Sequence, residues 1–158
     1  MFRGTSPLVL DGKGRMSVPS KHRERLTAQG EARLLMLTLD PTQGCLLLYP
    51  MADWEVVERR INAMSSMDPV GRQLKTVVVG SAEEVEMDSA GRILINPVLR
   101  RFAKLEKDAV LTGQGNKLAI WSAESWQAQV DAAARLPELI NAAMRDGTLP
   151  EEIKGFSL

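Results

Sequence analysis

With 158 residues, 44% of them hydrophobic, the chain can bury one compact core or two small ones that share it. A formal net charge of zero argues against gross, indiscriminate attraction to polyanions, and the lone Cys45 excludes an intramolecular disulfide and fits a reducing compartment. Apolar runs such as Leu46-Leu47-Leu48-Tyr49 and Val77-Val78-Val79 are too short to span a bilayer, and Met1-Phe2-Arg3-Gly4 opens no apolar stretch of export-signal length, so a cytoplasmic protein without a membrane partner is expected.

From the N-terminus, Leu8-Val9-Leu10 and Arg15-Met16-Ser17-Val18 flank the turn-forming cluster Asp11-Gly12-Lys13-Gly14, which predicts a hairpin. Pro19 suits the first turn of a short helix running to about Leu26. Strands are expected near Arg33–Leu39 and at Leu46–Tyr49, joined by Asp40-Pro41-Thr42-Gln43-Gly44. Trp54, Val57, Ile61 and Met64 make an apolar helical stripe, and Asp68-Pro69 opens a linking helix to about Val79 with an N-cap and a proline. A strand around Val85-Glu86-Met87, a turn, a strand at Ile93–Ile95 and a short helix from Asn96-Pro97 follow. Strands around Ala109–Leu111 and Leu118–Trp121 flank the turn Gly113-Gln114-Gly115-Asn116. A helix from about Ser122 then carries Trp126 and Val130 on its inner face, and both Trp54 and Trp126 read as core packing. Beyond Leu136 an Ala-rich helical tail frays through Asp146-Gly147-Thr148-Leu149-Pro150.

The second half of this series replays the first. Asp11-Gly12-Lys13-Gly14-Arg15 recurs as Asp88-Ser89-Ala90-Gly91-Arg92, and Leu46…Tyr49…Trp54 recurs as Leu118…Trp121…Trp126 with the same internal spacing. In each turn an Asp and an Arg four apart can form a charge-assisted pair, and Gly14 and Gly91 supply the positive φ that such turns demand. The copies differ in charge. Residues 1–25 hold six basic residues against two acidic ones, residues 83–107 hold five of each, and residues 122–158 hold three basic against six acidic. Such asymmetry in a neutral chain points to a polyanionic partner for the basic part. A hairpin tip bearing Lys13 and Arg15 has the shape to enter a DNA groove, Arg15 reading a guanine edge while Lys13, Arg3 and Lys21 neutralise phosphates. The competing reading of Lys21, Arg23 and Arg25 is a solvated helix face.

Catalytic readings are thinner. A duplicated half with one Asp each invites a hydrolase with an Asp11/Asp88 dyad sharing a proton, but the Arg beside each Asp favours its ionised form. His22, the only histidine, sits among charged residues and reads as a solvated surface group. Cys45 reads as a buried strand thiol. Gly113-Gln114-Gly115-Asn116-Lys117 lacks the ending of a phosphate-binding loop and reads as a hairpin turn. No zinc-ligand spacing is present, and no catalytic residue, metal or cofactor is expected.

These motifs, with Met1-Phe2-Arg3-Gly4, Leu46-Leu47-Leu48-Tyr49-Pro50, Ser65-Ser66-Met67 and Gln114-Gly115-Asn116-Lys117, resemble the MraZ family of bacterial transcriptional regulators in the AbrB/SpoVT-like swapped-hairpin superfamily. The resemblance implies an α+β fold: a duplicated, AbrB-like swapped-hairpin β-barrel core formed by two intertwined ββαβ-type repeats with flanking helices. On this reading the repeats occupy 7–53 and 83–126, linking helices 54–82 and a helical tail 127–158. It implies a ring-shaped homo-oligomer, nucleoid-associated, that binds direct repeats in double-stranded promoter DNA of the division and cell-wall gene cluster, its own promoter included, with no small-molecule substrate. It also implies DNA-facing residues Arg3, Lys13, Arg15, Lys21 and Arg23, with Asp11, Gly14, Asp88, Gly91 and Arg92 framing the two turns. An alternative is a protein-binding module of the antitoxin type on the same fold, to which the acidic tail would contribute.

Overall fold

The strands of the two repeats are exchanged. In a computed structural model that describes residues 1–27 and 34–155, β1 (Thr5–Val9) pairs antiparallel with β7 (Asp108–Gly113) of the second repeat, and β5 (Glu83–Glu86) pairs antiparallel with β3 (Leu34–Asp40) of the first. With β4 (Cys45–Pro50) and β8 (Leu118–Ser122) they form one six-stranded sheet in the order β1-β7-β8-β4-β3-β5. Exchanging the repeats leaves that order unchanged, which is the topological mark of a pseudo-twofold axis between β8 and β4. On the same axis, β2 (Arg15–Ser17) and β6 (Arg92–Leu94) form a separate antiparallel ribbon, Met16 opposite Ile93.

The expected hairpin of Leu8–Leu10 with Arg15–Val18 therefore does not form as a ladder. Its turn closes through the Asp11 N–H to the Arg15 carbonyl at 2.9 Å, but one arm goes to β7 and the other to β6. The reason is energetic: an isolated two-stranded hairpin is marginal in water, whereas exchange places both arms over a shared core. Met16 and Ile93 are each 1% exposed, and Leu10, Val18, Met87 and Ile95 are buried with them.

The central strands explain why their sequence does not alternate. Every residue of β4 and β8 is buried, so Cys45–Pro50 and Leu118–Ser122 are covered on both faces. The buried Cys45 thiol confirms the strand reading, its pKa pushed up to about 12 by burial and then by the Asp40 carboxylate.

The helices mostly follow their sequence signals. α1 (Ser20–Thr27) begins just after Pro19, whose carbonyl accepts from the His22 N–H at 2.9 Å. α2 (Met51–Asn62) buries Trp54 and Ile61 as its stripe predicts, while Met64 lies past the helix and is exposed. In α3 (Pro69–Leu74) the Asp68 carboxylate accepts from the Val70 and Gly71 N–H groups, and a π-helical turn, Lys75–Val79, continues it. Thr38 Oγ1 donates to the Val78 carbonyl at 2.6 Å and ties this linker to β3. α4 (Pro97–Phe102) is capped by Asn96, which accepts from the Leu99 N–H at 2.8 Å. The Gly113–Lys117 segment is a hairpin turn between β7 and β8, the Gln114 N–H donating to the Lys117 carbonyl at 2.9 Å.

Met1–Ser125 is one compact unit and Trp126–Leu158 another; α5 (Ala123–Ala133) starts in the first and continues into the second, where α6 (Leu136–Arg145) follows. Two expectations fail here: Trp126 is only half-buried and Val130 is 47% exposed, so they do not form a core face. A third fails at His22, which is 4% exposed and packs edge-on against Phe2 instead of facing solvent. Arg33 of the expected strand lies outside the described residues.

Candidate nucleic-acid interface

Alternation along the ribbon decides what faces out. With Met16 and Ile93 turned to the core, Arg15 and Ser17 of β2 and Arg92 and Leu94 of β6 share the outer face. Arg15 stands opposite Leu94 and Arg92 opposite Ser17, so the two arginines sit diagonally across the pair, roughly 7–8 Å apart at the backbone.

Each arginine is held by the first residue of its own turn. Asp11 Oδ1 accepts from the Lys13 and Arg15 N–H groups, both at 2.9 Å, and Asp11 Oδ2 accepts from Arg15 Nε at 2.7 Å. Asp88 repeats the set with Ala90 and Arg92 at 2.9, 2.8 and 2.9 Å. The expected Asp–Arg pair is thus present in both copies, made through Nε, with further backbone bonds that the spacing alone does not reveal. Hydrogen bonds from the Arg15 and Lys13 groups hold the Asp11 carboxyl down at about 2, and Asp88 is lowered for the same reason. Two carboxyls pushed toward the ionised form oppose a shared proton, which removes the physical basis of the Asp11/Asp88 dyad.

The sign of the Asp11 effect fixes an expected pH dependence. A carboxyl whose pKa is depressed in the fold stabilises it above the unfolded value of about 3.9 and loses that contribution as pH falls toward 2. NMR titration of the Asp11 carboxyl carbon should give a midpoint near 2, and Asp11→Asn should flatten the acid limb of stability below about pH 5. An Asp11 midpoint near 4 would show that the turn bonds do not hold in solution.

The turn glycines make contact across the repeats. Gly14, at φ +82°, leaves room for the guanidinium of Arg100 from α4, whose Cζ lies 2.5 Å from where a Cβ would stand. Gly91, at φ +77°, is covered in the same way by Arg23 from α1. Arg23 Nε also donates to the Val18 carbonyl at 2.7 Å. Gly14→Ala should therefore cost about 1 kcal/mol in backbone strain and displace Arg100, read as a lower urea midpoint.

The five candidate DNA-facing residues do not form one patch. Lys13 and Arg15 lie together on the first turn, whereas Arg23 covers the second. Arg3 precedes β1, at the end away from Lys13; there the Gly115 N–H donates to the Phe2 carbonyl at 3.0 Å. Lys21 lies beside Gly4, its Nζ 3.4 Å from where a Cβ there would stand, and Arg25 donates to the Met1 carbonyl. Conversely, the first turn gains Arg100 over Gly14 and the exposed Lys107, whose carbonyl accepts from the Leu10 N–H at 2.8 Å. The repeat offset carried that signal, because Arg100 is the counterpart of Arg23.

The chain matches the family described as "MraZ protein, putative antitoxin-like" twice, over residues 1–77 and 78–146. The two matches start 77 residues apart, the spacing of Asp11 and Asp88. The chain belongs to the MraZ family. Proteins named "Transcriptional regulator MraZ" from Methylobacillus flagellatus, Nitrosospira multiformis and Legionella pneumophila are 47%, 46% and 41% identical to it over 158 residues, covering all of both chains. This MraZ chain thus has the swapped-hairpin architecture expected of it, with the two Asp-to-Arg turns at opposite ends of its outer ribbon.

Proposed function

We propose that this protein is a sequence-specific DNA-binding transcriptional regulator, acting in the cytoplasm on the nucleoid and performing no catalysis. The observation that carries the reading is the outer ribbon: Arg15 bonds Asp11 through Nε, which leaves the fork of its two terminal guanidinium nitrogens outside that bond, beside the exposed Lys13. A pre-oriented fork suits a guanine edge, and Lys13 suits a phosphate. Repeats 7–53 and 83–126 act as a single reading body joined by 54–82, with 127–158 as a tail.

The target is a set of direct repeats in the promoter of the division and cell-wall gene cluster, including the protein's own, occupied by a ring-shaped homo-oligomer that represses it. A neutral subunit with few outward cations binds weakly at physiological salt, so several linked subunits are required for tight binding. Assembly also suits the apolar side chains that a single chain leaves exposed, Leu136, Leu139 and Met144 on α6 among them. That same face favours one second reading, a protein-binding module of the antitoxin type.

Fluorescence anisotropy against the DNA upstream of the coding region, with a scrambled duplex alongside and a salt series, tests the proposal. Tight binding to the first duplex that weakens steeply with salt is the expected result. Equal weak binding to both would turn the assignment toward a protein partner for α6. Sedimentation of the free protein as a single species of one chain would remove the ring.

A further inference from the structure

The ribbon is symmetric in geometry and asymmetric in charge. The bonds at its two turns agree to within 0.2 Å, the turn glycines have φ of +82° and +77°, and each is covered by an arginine of the opposite repeat. The ribbon is closed at both ends in the same way, Val18 N–H to the Gly91 carbonyl at 2.8 Å and Ile95 N–H to the Gly14 carbonyl at 3.0 Å. The side chains on this frame are not equivalent. Lys13 is exposed at the first turn, and Ala90 stands in its place at the second. The strand entering the first turn ends on the exposed Val9, whereas the counterpart in β5 is the exposed Glu86, with Glu83 and Glu84 behind it. Lys13, Arg15, Arg100 and Lys107 thus outweigh Asp11 and Asp108, which pairs with Val9, at one end, while Arg92 and Arg23 are balanced by Asp88 and Glu86 at the other.

From this we infer that each subunit meets the duplex in one orientation, with the Asp11–Arg15 turn as the anchoring end, and that Ala90 and Glu86 prevent the Asp88–Arg92 turn from serving as a second anchor. The inference rests on the DNA-reading function proposed above. A surface with equal ends matches a site of twofold symmetry and has no preferred direction along it. Unequal ends have one on an asymmetric site: the phosphates favour the cationic end over the end bearing the carboxylates, so Arg15 alone makes the base contact, and the bases it reads set the direction. Copies set by such a contact on the direct repeats proposed above all point the same way.

The test uses the full chain and the duplex upstream of its coding region. Arg15→Ala should weaken binding more than tenfold and Arg92→Ala by less than about threefold. Ala90→Lys, which adds an exposed cation and breaks no bond, should tighten binding roughly five- to tenfold and steepen the salt dependence by about one unit of slope. Direction is read from an iron chelate tethered at Gly12→Cys or Ser89→Cys, equivalent positions of the two turns; Cys45 is buried, and nothing lies within 4 Å of a Cβ at Gly12. Cutting from position 12 should fall on one flank of each site and cutting from position 89, weaker, on the other. Interchangeable cutting patterns, or an Arg92→Ala loss equal to that of Arg15→Ala while the wild-type chain still binds tightly, would overturn the inference and leave the DNA-reading assignment standing. A wild-type chain that does not distinguish this duplex from a scrambled one would overturn both.

Discussion

Arg15→Ala is expected to weaken binding about a hundredfold on a duplex carrying two correctly spaced sites, but only about tenfold on a duplex carrying one. The difference comes from linkage. Losing one bidentate arginine contact costs on the order of 1–3 kcal/mol, and about 1.4 kcal/mol is a factor of ten. If two subunits of one assembly engage the same duplex, as proposed above, the loss enters twice, because each bound turn has forfeited the same contact. Asp11 makes the contact specific to the fork. Its 2.7 Å bond to Arg15 Nε biases the guanidinium toward one orientation before DNA arrives, which reduces the side-chain freedom lost on binding. Arg15→Lys should therefore fall almost as far as Arg15→Ala on the specific duplex while matching the wild-type chain on a scrambled one, since it keeps the charge and loses the fork. Anisotropy on one-site and two-site duplexes at a single salt concentration measures both comparisons. Equal losses of Arg15→Ala on the two would mean that the subunits of an assembly do not read together.

Much of this site is legible in the primary structure, and what is not has a common cause. The Asp-to-Arg spacing, the turn glycines and the Asn96 and Asp68 caps are local, and they form as their residues dictate. Strand partners are not local. Alternation places Met16 and Ile93 inward but does not say that β2 pairs with β6 instead of β1. Once the arms exchange, every charge count taken along the chain changes meaning. The basic run of residues 1–25 separates, Arg23 to the second turn and Lys21 and Arg25 to the N-terminal segment, while Arg100 moves onto the first turn. Once the exchange is known, the 77-residue offset relates the two crossings to each other: Arg23 over Gly91 implies Arg100 over Gly14.

The same offset makes sense of His22 and yields a stabilising substitution. Its counterpart in the second repeat is Leu99, 1% exposed in α4, and His22 fills the matching inward position of α1 beside the Phe2 ring, 5.7 Å between centroids. Charged neighbours in sequence suggested a solvated group, but the helix turns this position inward with Leu26, while Lys21 and Arg25 stay outside. Among the described residues Nε2 has no hydrogen-bond partner, a defect that costs about 1–3 kcal/mol. Burial, with the charges of Lys21 and Arg25 behind it, lowers the imidazole pKa below 6.5. As pH falls through 6.5 the unfolded chain takes up its proton first, so the wild-type fold should lose stability below that pH and level off once the buried ring is also protonated. His22→Leu removes both penalties at once. It should add about 2 kcal/mol near neutral pH, raise the melting temperature by roughly 4–8 °C, and make the urea midpoint less sensitive to acid between pH 7 and 5. DNA affinity should be unchanged, because Arg23 still reaches Gly91 and the outer ribbon is untouched. A variant less stable than the wild-type chain would mean that the two repeats pack differently around this position, and that the imidazole has a partner in solution which supports the fold.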